Sequence, residues 1–333
     1  MGSDQGTSPR TITASDIDPA KRRYAIIGTG AIGGYYGARL AAAGHEVHFV
    51  ARTDLATLQR DGLRVDSPGG DVVLADVSAV ASPAEVPPVD VVLLTTKTSP
   101  DQPGAALVAP LASAGATVVL MQNGLGVEAR VAADLPDATV LGGMCFVCSN
   151  RVAPGHVRHL DYGAVTVGEH TPDALAGAGL TDAVTAFVAD LEAAGVTARP
   201  IPNLQAGRWR KLVWNIAYNG LSVVLDAGTD ELMADPATRA LVVELMREVT
   251  AAAAACGHPI DDGFIDEMIA TTDAMTPYKT SMKLDAEAGR PLEIDAIYQA
   301  PVDAARAAGF TMARTEALLA QLRFLDARNR ASS

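Results

Sequence analysis

The chain has 333 residues, 49% of them hydrophobic, 20% charged and 5% aromatic; at about 150 residues per domain this points to two domains with sizeable cores and excludes wholesale disorder. A formal charge of −13 excludes a broad phosphate-tracking surface, so no nucleic-acid partner is expected. Three cysteines are too few for a disulfide framework, which predicts a reducing, cytoplasmic compartment, and no apolar run reaches the roughly 18 residues that a membrane helix needs.

Residues 1–22 are polar, rich in Ser, Thr, Asp and Pro, and lack an apolar signal core. They read as a mobile extension without an export signal. Tyr24-Ala25-Ile26-Ile27 is a short apolar run ending in glycine, the first predicted strand. A helix is expected over 32–43, closed by Gly44, and a strand over 46–50. The runs 89–95 and 116–121 are continuously apolar, as strands buried on both faces would be, with a helical pattern over 101–112 between them. This alternation predicts a parallel sheet with helices on both faces. Two prolines in Arg199-Pro200-Ile201-Pro202 mark a linker. Beyond it the periodicity is helical, over 207–225, 236–256, 262–272, 295–308 and 312–328. The expected organisation is a tail (1–22), an α/β domain (23–200) and an all-helical domain (203–330).

Gly28-Thr29-Gly30-Ala31-Ile32-Gly33 is G-x-G-x-x-G, placed between a strand and a helix as a Rossmann-type dinucleotide site requires. Gly28 serves the tight turn, Gly30 the close approach of a pyrophosphate, and Gly33 the packing of helix on strand. The helix N-terminus adds N–H donors and partial positive charge. The second strand ends in Val50-Ala51-Arg52-Thr53, with no acidic residue at its tip to grip ribose hydroxyls. Arg52 suits a 2′-phosphate, which favours NADP; Asp54 nearby keeps NAD as the minor option. Lys97 and Asn123 follow successive strands at the sheet edge where open α/β folds bind ligands. Lys97 is placed to meet cofactor phosphate or ribose, and Asn123 to serve the nicotinamide end or the substrate.

In the segment Trp209–Ser222, Lys211, Asn215, Asn219 and Ser222 fall within about 80° of one another on a helix, with Trp209, Val213, Ile216 and Val224 opposite. One lysine, two asparagines and a serine bordered by Trp214 and Tyr218 do not resemble a solvated face, which usually carries many Glu, Lys and Arg. They look like a polar stripe in a cleft, whose groups are expensive unless paired, either with a ligand or with a neighbouring helix. A second polar cluster, Thr280-Ser281-Met282-Lys283-Leu284-Asp285 and Gly289–Asp295, sits at a helix end and turn.

Cys145 and Cys148 have C-x-x-C spacing, but on a strand positions i and i+3 face opposite ways, and no helix start follows to activate a thiol. His156 and His159 lack companion ligands for a zinc site. Both pairs read as structural, and no metal is expected.

Taken in order, GTGAIGG, Lys97, Gln122-Asn123-Gly124-Leu125, Lys211-Leu-x-x-Asn215-x-x-x-Asn219, Ser281-Met282 and Arg290-x-x-Glu293-Ile294-Asp295 resemble the ketopantoate reductase family over nearly all of the chain after the tail. The resemblance implies NADPH-dependent reduction of a 2-oxo acid, with 2-dehydropantoate the first candidate. It implies Lys211 as the proton donor, with Glu293 in the catalytic or cofactor site. Asn215, Asn219 and Ser281 match substrate-contacting positions, Asn123 and Lys97 match cofactor or active-site positions, and Arg52 matches a 2′-phosphate arginine. The expected mechanism lodges the dinucleotide between the two lobes and lowers the Lys211 pKa by desolvation, opposed by Glu293. The chain departs from the family pattern at Gly220, Thr229, Tyr298 and Gln299, which leaves open a different small 2-oxo acid or an imine. A non-catalytic NADP-binding protein is the third reading. The apolar helices of the second half leave two readings open, burial against a sister chain, homodimers being common, or burial within one subunit.

Overall fold

The computed structural model describes residues 10–18, 20–98 and 103–332. The chain divides into two compact units: residues up to 122, 128–172 and 178–202 form the first, and residues 123–127, 173–177 and 203 onwards the second.

The first unit is built on one sheet. Its strands are β1 (Arg10–Ile12), β2 (Arg23–Ile27), β3 (Glu46–Val50), β4 (Leu63–Asp66), β5 (Val72–Leu74), β6 (Ser78–Val80), β7 (Val91–Leu94), β8 (Thr117–Leu120), β9 (Val140–Ala153), β10 (His156–Glu169) and β11 (Ala198–Pro200). They are ordered β1-β5-β4-β10-β9-β8-β7-β2-β3-β6, with β11 paired to β10. Its helices are α1 (Ala31–Ala42), α2 (Leu55–Asp61), α3 (Gly104–Ala112), α4 (Val127–Asp134) and α5 (Asp182–Ala193). From β6 through β9 every pairing is parallel, with Tyr24 of β2 opposite Val47 on one side and Val91 on the other. Alternation along the strands splits the core. Tyr24, Ile26, Val91 and Leu93 pack in one cluster with Tyr36 and Leu40 of α1 and Phe187 of α5. Leu94, pointing the other way, lies against Gly104 of α3. Helices therefore cover both faces, which is why β7 reads Val-Val-Leu-Leu without a polar break.

One expectation is corrected here. Part of the presumed mobile extension is sheet: β1 pairs in parallel with β5, anchored by Ile12, which is 5% exposed. Lys21 donates to the Ala43 carbonyl, and Arg22 pairs with Asp190 at 2.8 Å. Residues 1–9 of that extension lie outside the described residues, as do 101–102 of the helix expected over 101–112. The Pro200–Pro202 stretch ends the first unit just ahead of Asn203, as the linker reading expects, and it is held by backbone hydrogen bonds. β11 lies parallel to β10, the Ile201 N–H donates to Val167 at 2.8 Å, and the Pro202 carbonyl accepts from Gly179 at 3.0 Å. A proline is tolerated there because the strand is short and peripheral. The antiparallel hairpin of β9 and β10, joined through Pro154 and Gly155 (φ 65°), was not anticipated.

The second unit is helical: α6 (Leu204–Val224), α7 (Thr229–Ala234), α8 (Pro236–Ala255), α9 (Phe264–Ala274), α10 (Ser281–Glu287), a π-helical turn (Asp295–Gln299), α11 (Ala300–Ala307) and α12 (Ala313–Ser332). Asn203 caps α6 by accepting from the Ala206 N–H at 2.9 Å. That helix is buried on nearly every side, with Trp209, Val213, Ile216 and Tyr218 at 0% exposure. Buried Glu248 of α8 accepts from the Arg314 and Thr315 amides at 2.9 and 2.8 Å, satisfying the start of α12. Among the described residues no helix is long and apolar enough to cross a membrane.

Candidate active site

The glycine turn behaves as three separate solutions to three packing problems. Gly28 has φ +99°, and a Cβ there would lie 2.7 Å from the Thr96 side chain. At Gly33 a Cβ would fall 2.1 Å from the Gly28 carbonyl oxygen, so only hydrogen fits between helix and strand. Gly30 is the opposite case, with nothing within 4 Å of its Cβ position: that face is open space. Thr95 latches the turn by donating to the Ile27 and Gly28 carbonyls at 3.0 and 2.5 Å. Gly30 caps α1 in extended geometry with no side-chain cap. The Gly34 N–H is the first amide to close on it, at 2.8 Å. The N–H groups of Ala31, Ile32 and Gly33 thus have no partner inside the helix.

The turn borders a groove of about 560 Å3, lined among others by Gly28, Thr29, Gly30, Arg52, Asp54, Ser82, Thr96 and Arg151. The Thr29 hydroxyl is buried and has no hydrogen-bond partner among the described residues. The open glycine face leaves room for a pyrophosphate, and the uncapped amides and the orphaned hydroxyl are donors whose bonds its oxygens can accept. Arg52 stands exposed beyond β3. Asp54, which kept NAD in play, is only 3% exposed. Its carboxylate pairs with Arg151 and faces the Gly155 N–H at 3.4 Å instead of capping α2. Lys97 lies exposed just past β7, one residue beyond Thr96, whose carbonyl accepts from Gln122 at 2.8 Å.

In the second unit, α6 carries Lys211, half-buried, and Asn215 and Asn219 at 6% and 2% exposure. The stripe is not uniform. Ser222 is spent within the unit, donating to the Asn219 carbonyl at 3.0 Å and sharing a 2.7 Å hydrogen bond with Thr280. Thr280 in turn caps α10, accepting from the Lys283 N–H at 3.2 Å, so that exposed Ser281 opens that helix. Asn215 differs: its Nδ2 is buried with no hydrogen-bond partner among the described residues. The Trp214 indole donates to Thr272 at 3.1 Å, and its ring lies 4.8 Å from that of Tyr218. The aromatic border of the stripe is thereby held by protein contacts.

Glu293, 9% exposed, precedes the π-helical turn. The sequence reading expects one helix over 295–308; the widened turn has a covalent cause. The Ala300 N–H reaches back to the Asp295 carbonyl, and the next donor in that pattern would be residue 301, a proline without N–H. The Ala296 carbonyl is left free and accepts from the Leu125 N–H at 2.8 Å. Gly124 (φ +99°) rests so closely on Ala296 that a Cβ would fall 2.4 Å from it. The turn bearing Asn123 is thus docked three residues from Glu293. Tyr298, fully buried on the same π turn, donates to the Ile216 carbonyl at 3.0 Å, between Asn215 and Asn219. Gly220 makes room for it, since a Cβ there would lie 2.6 Å from the Tyr298 hydroxyl and 2.5 Å from Leu318.

Arg151, the π turn and the Tyr298 anchor escape sequence reasoning. Arg151 is 97 residues from the carboxylate it pairs with. Only Pro301 hinted at an irregular helix. The other clusters are structural. Cys145 and Cys148 are buried in β9, and burial pushes the Cys148 thiol up to about 12. His156 pairs with Asp66 at 2.8 Å, and His159 bonds Ser67 at 2.8 Å under the Tyr35 ring. Among the described residues no group of His, Cys, Asp and Glu could hold a metal.

The family model described as Ketopantoate reductase PanE/ApbA matches residues 24–172, and its C-terminal counterpart matches residues 203–326. A 2-dehydropantoate 2-reductase from Nostoc sp. is 46% identical over 310 residues, 93% of this chain and 97% of the relative. The crystal structure of 2-dehydropantoate 2-reductase from Geobacter metallireducens superposes with a TM-score of 0.84 at 40% identity, covering 90% of this chain and 99% of that one. The Methylococcus capsulatus enzyme of the same name gives 0.83 at 34% identity, over 92% and 98%. By sequence along both units and by fold, this chain belongs to the ketopantoate reductase family.

Proposed function

We propose that the chain reduces 2-dehydropantoate to pantoate with NADPH. The observation that carries this is the buried face of α6, where Asn215 keeps an amide without a protein partner four residues from Lys211. A buried donor left unmatched costs about 1–3 kcal/mol, and a polar substrate removes that cost. Family membership and the 46% identical relative support the same substrate.

The bound dinucleotide supplies the hydride. Gly28, Thr29 and Gly30, with the amides of Ala31, Ile32 and Gly33, hold its pyrophosphate; Arg52 and Lys97 hold the 2′-phosphate and ribose. Lys211 keeps its proton on Nζ, meets the charge that grows on the keto oxygen and delivers the proton there, work that contributes roughly 10²- to 10⁴-fold in rate. Glu293 positions that ammonium. Asn215 and Asn219 donate to substrate oxygens, Ser281 meets the carboxylate, and Asn123 orients the reacting ends.

The alternative of a different 2-oxo acid or imine draws on departures from the family pattern. Two of them are packing: Gly220 and Tyr298 accommodate each other inside the unit. Thr229 is 2% exposed and its hydroxyl donates to the Tyr278 carbonyl at 3.2 Å, so it is not offered to a ligand. This weakens the case for a changed substrate. The test is NADPH oxidation with 2-dehydropantoate against a panel of 2-oxo acids and imines. Highest kcat/KM for 2-dehydropantoate is expected. A better panel member replaces the substrate assignment, and NADPH binding without turnover of any of them supports a binding protein.

A further inference from the structure

We infer that Arg151 is a cofactor-preference residue. It neutralises Asp54 and supplies a second cation to the subsite for the adenosine 2′-phosphate. This deepens the reading of the groove as an NADP site and rests on it.

Arg52, Asp54, Ser82 and Arg151 line the same groove. A carboxylate near the end of the strand that follows α1 suits ribose hydroxyls and repels a phosphate dianion, and buried Asp54 lies four residues past the end of β3. Here that carboxylate is already engaged. Arg151 Nη1 bonds Oδ1, the Thr53 hydroxyl donates to the same oxygen at 3.1 Å, and Oδ2 faces the Gly155 amide. The Arg151 side chain is 43% exposed while that of Asp54 is 5% exposed, so the cation, not the anion, meets the solvent side of the pair. A guanidinium has five N–H donors in a planar fork. One oriented by Asp54 can present others to phosphate oxygens, bonds that are strong because both partners are charged. With Arg151 present, two arginines outweigh one aspartate around the 2′ position. Without it, Arg52 and Asp54 cancel, and the preference for a phosphate disappears. The long hairpin of β9 and β10 has a purpose in this scheme: it carries Arg151 to the tip of β3.

The test is direct binding to the purified full chain, by calorimetry, of NADPH and NADH, and of adenosine 2′,5′-bisphosphate and 5′-AMP as fragments. Arg151→Met should weaken NADPH and the bisphosphate by about 10-fold or more, the loss of one charge-assisted bond, while NADH and 5′-AMP change less than about twofold. Asp54→Asn removes the repelling charge and should tighten NADPH relative to NADH; added to Arg151→Met it should restore much of the lost NADPH affinity. Equal losses for both cofactors overturn the proposal, since a role in folding alone predicts them. So does an NADPH preference that survives Arg151→Met. If Arg151→Met does not fold, an Asp54→Asn protein with an unchanged NADPH-to-NADH ratio overturns it equally. A wild-type chain that binds NADH as tightly as NADPH refutes the NADP reading itself, whatever Arg151 does.

Discussion

In the proposed function the glycine turn and the polar face of α6 both serve a ligand, by opposite means. At residues 28–33 the preparation is a subtraction: side chains are missing where backbone must bend, pack or stay open, and Gly30 faces empty space. On α6 it is a surplus: polar groups are carried into a buried helix, and one amide has no protein partner. Subtraction is written locally, because a glycine is required by its own backbone or its nearest neighbour. Surplus is settled only by packing. Ser222 and Asn215 look alike on a helical wheel, yet one is matched by Thr280 and the other is not.

The contrast can be broken most forcefully at Lys211. Lys211→Ala should lower turnover by roughly 10²- to 10⁴-fold while NADPH titration stays near wild type. A loss of binding in parallel would mean that the two regions do not divide the labour. Gly33→Ala attacks the other side. A methyl 2.1 Å from the Gly28 carbonyl must push helix from strand, so thermal denaturation should show a loss of about 1–3 kcal/mol together with weaker cofactor binding. Within α6 itself, Ser222→Ala should lower stability by about 1 kcal/mol with KM unchanged. Asn215→Ala should raise KM by about 10-fold, with little loss of hydrogen-bond stability because no protein bond is broken. If Asn215→Ala behaves like Ser222→Ala, the unmatched amide is not the substrate's. The smallest effect concerns His159 and His258, which burial holds below their ordinary pKa of 6.5. Both are then more easily protonated in the unfolded chain. Their stabilisation is complete above about pH 6.5 and is lost as pH falls below it. Urea titrations at falling pH should show this decline, and His159→Gln should flatten part of it.

Much of the first unit is legible without coordinates. Arg23–Ile27 and Val91–Leu94 announce themselves by apolar runs and Glu46–Val50 by its alternation, and Gly28, Gly44 and Gly257 punctuate them and the helices with positive φ. The hairpin of β9 and β10 is harder to see. Bulges interrupt its alternation at His156, His159 and Tyr162, so the period of two never runs long enough to register. The edge strand at Arg10–Ile12 is invisible for another reason: three residues with one buried side chain leave no pattern. The stripe on α6 is visible as a pattern, but its division of labour is not. The dock of Asn123 on the π turn depends on a proline 178 residues away having nothing to donate, which no local window contains.

The closeness of Gly220 and Tyr298 has a practical corollary. A notch in one helix and a phenol filling it are a lock and its key, and the notch cannot be filled while the phenol stays. A larger side chain at position 220 requires Tyr298 and Leu318 to give way with it. Filling position 220 alone asks one molecule to hold two incompatible halves. Chimaeras within this family should therefore exchange the two sites together.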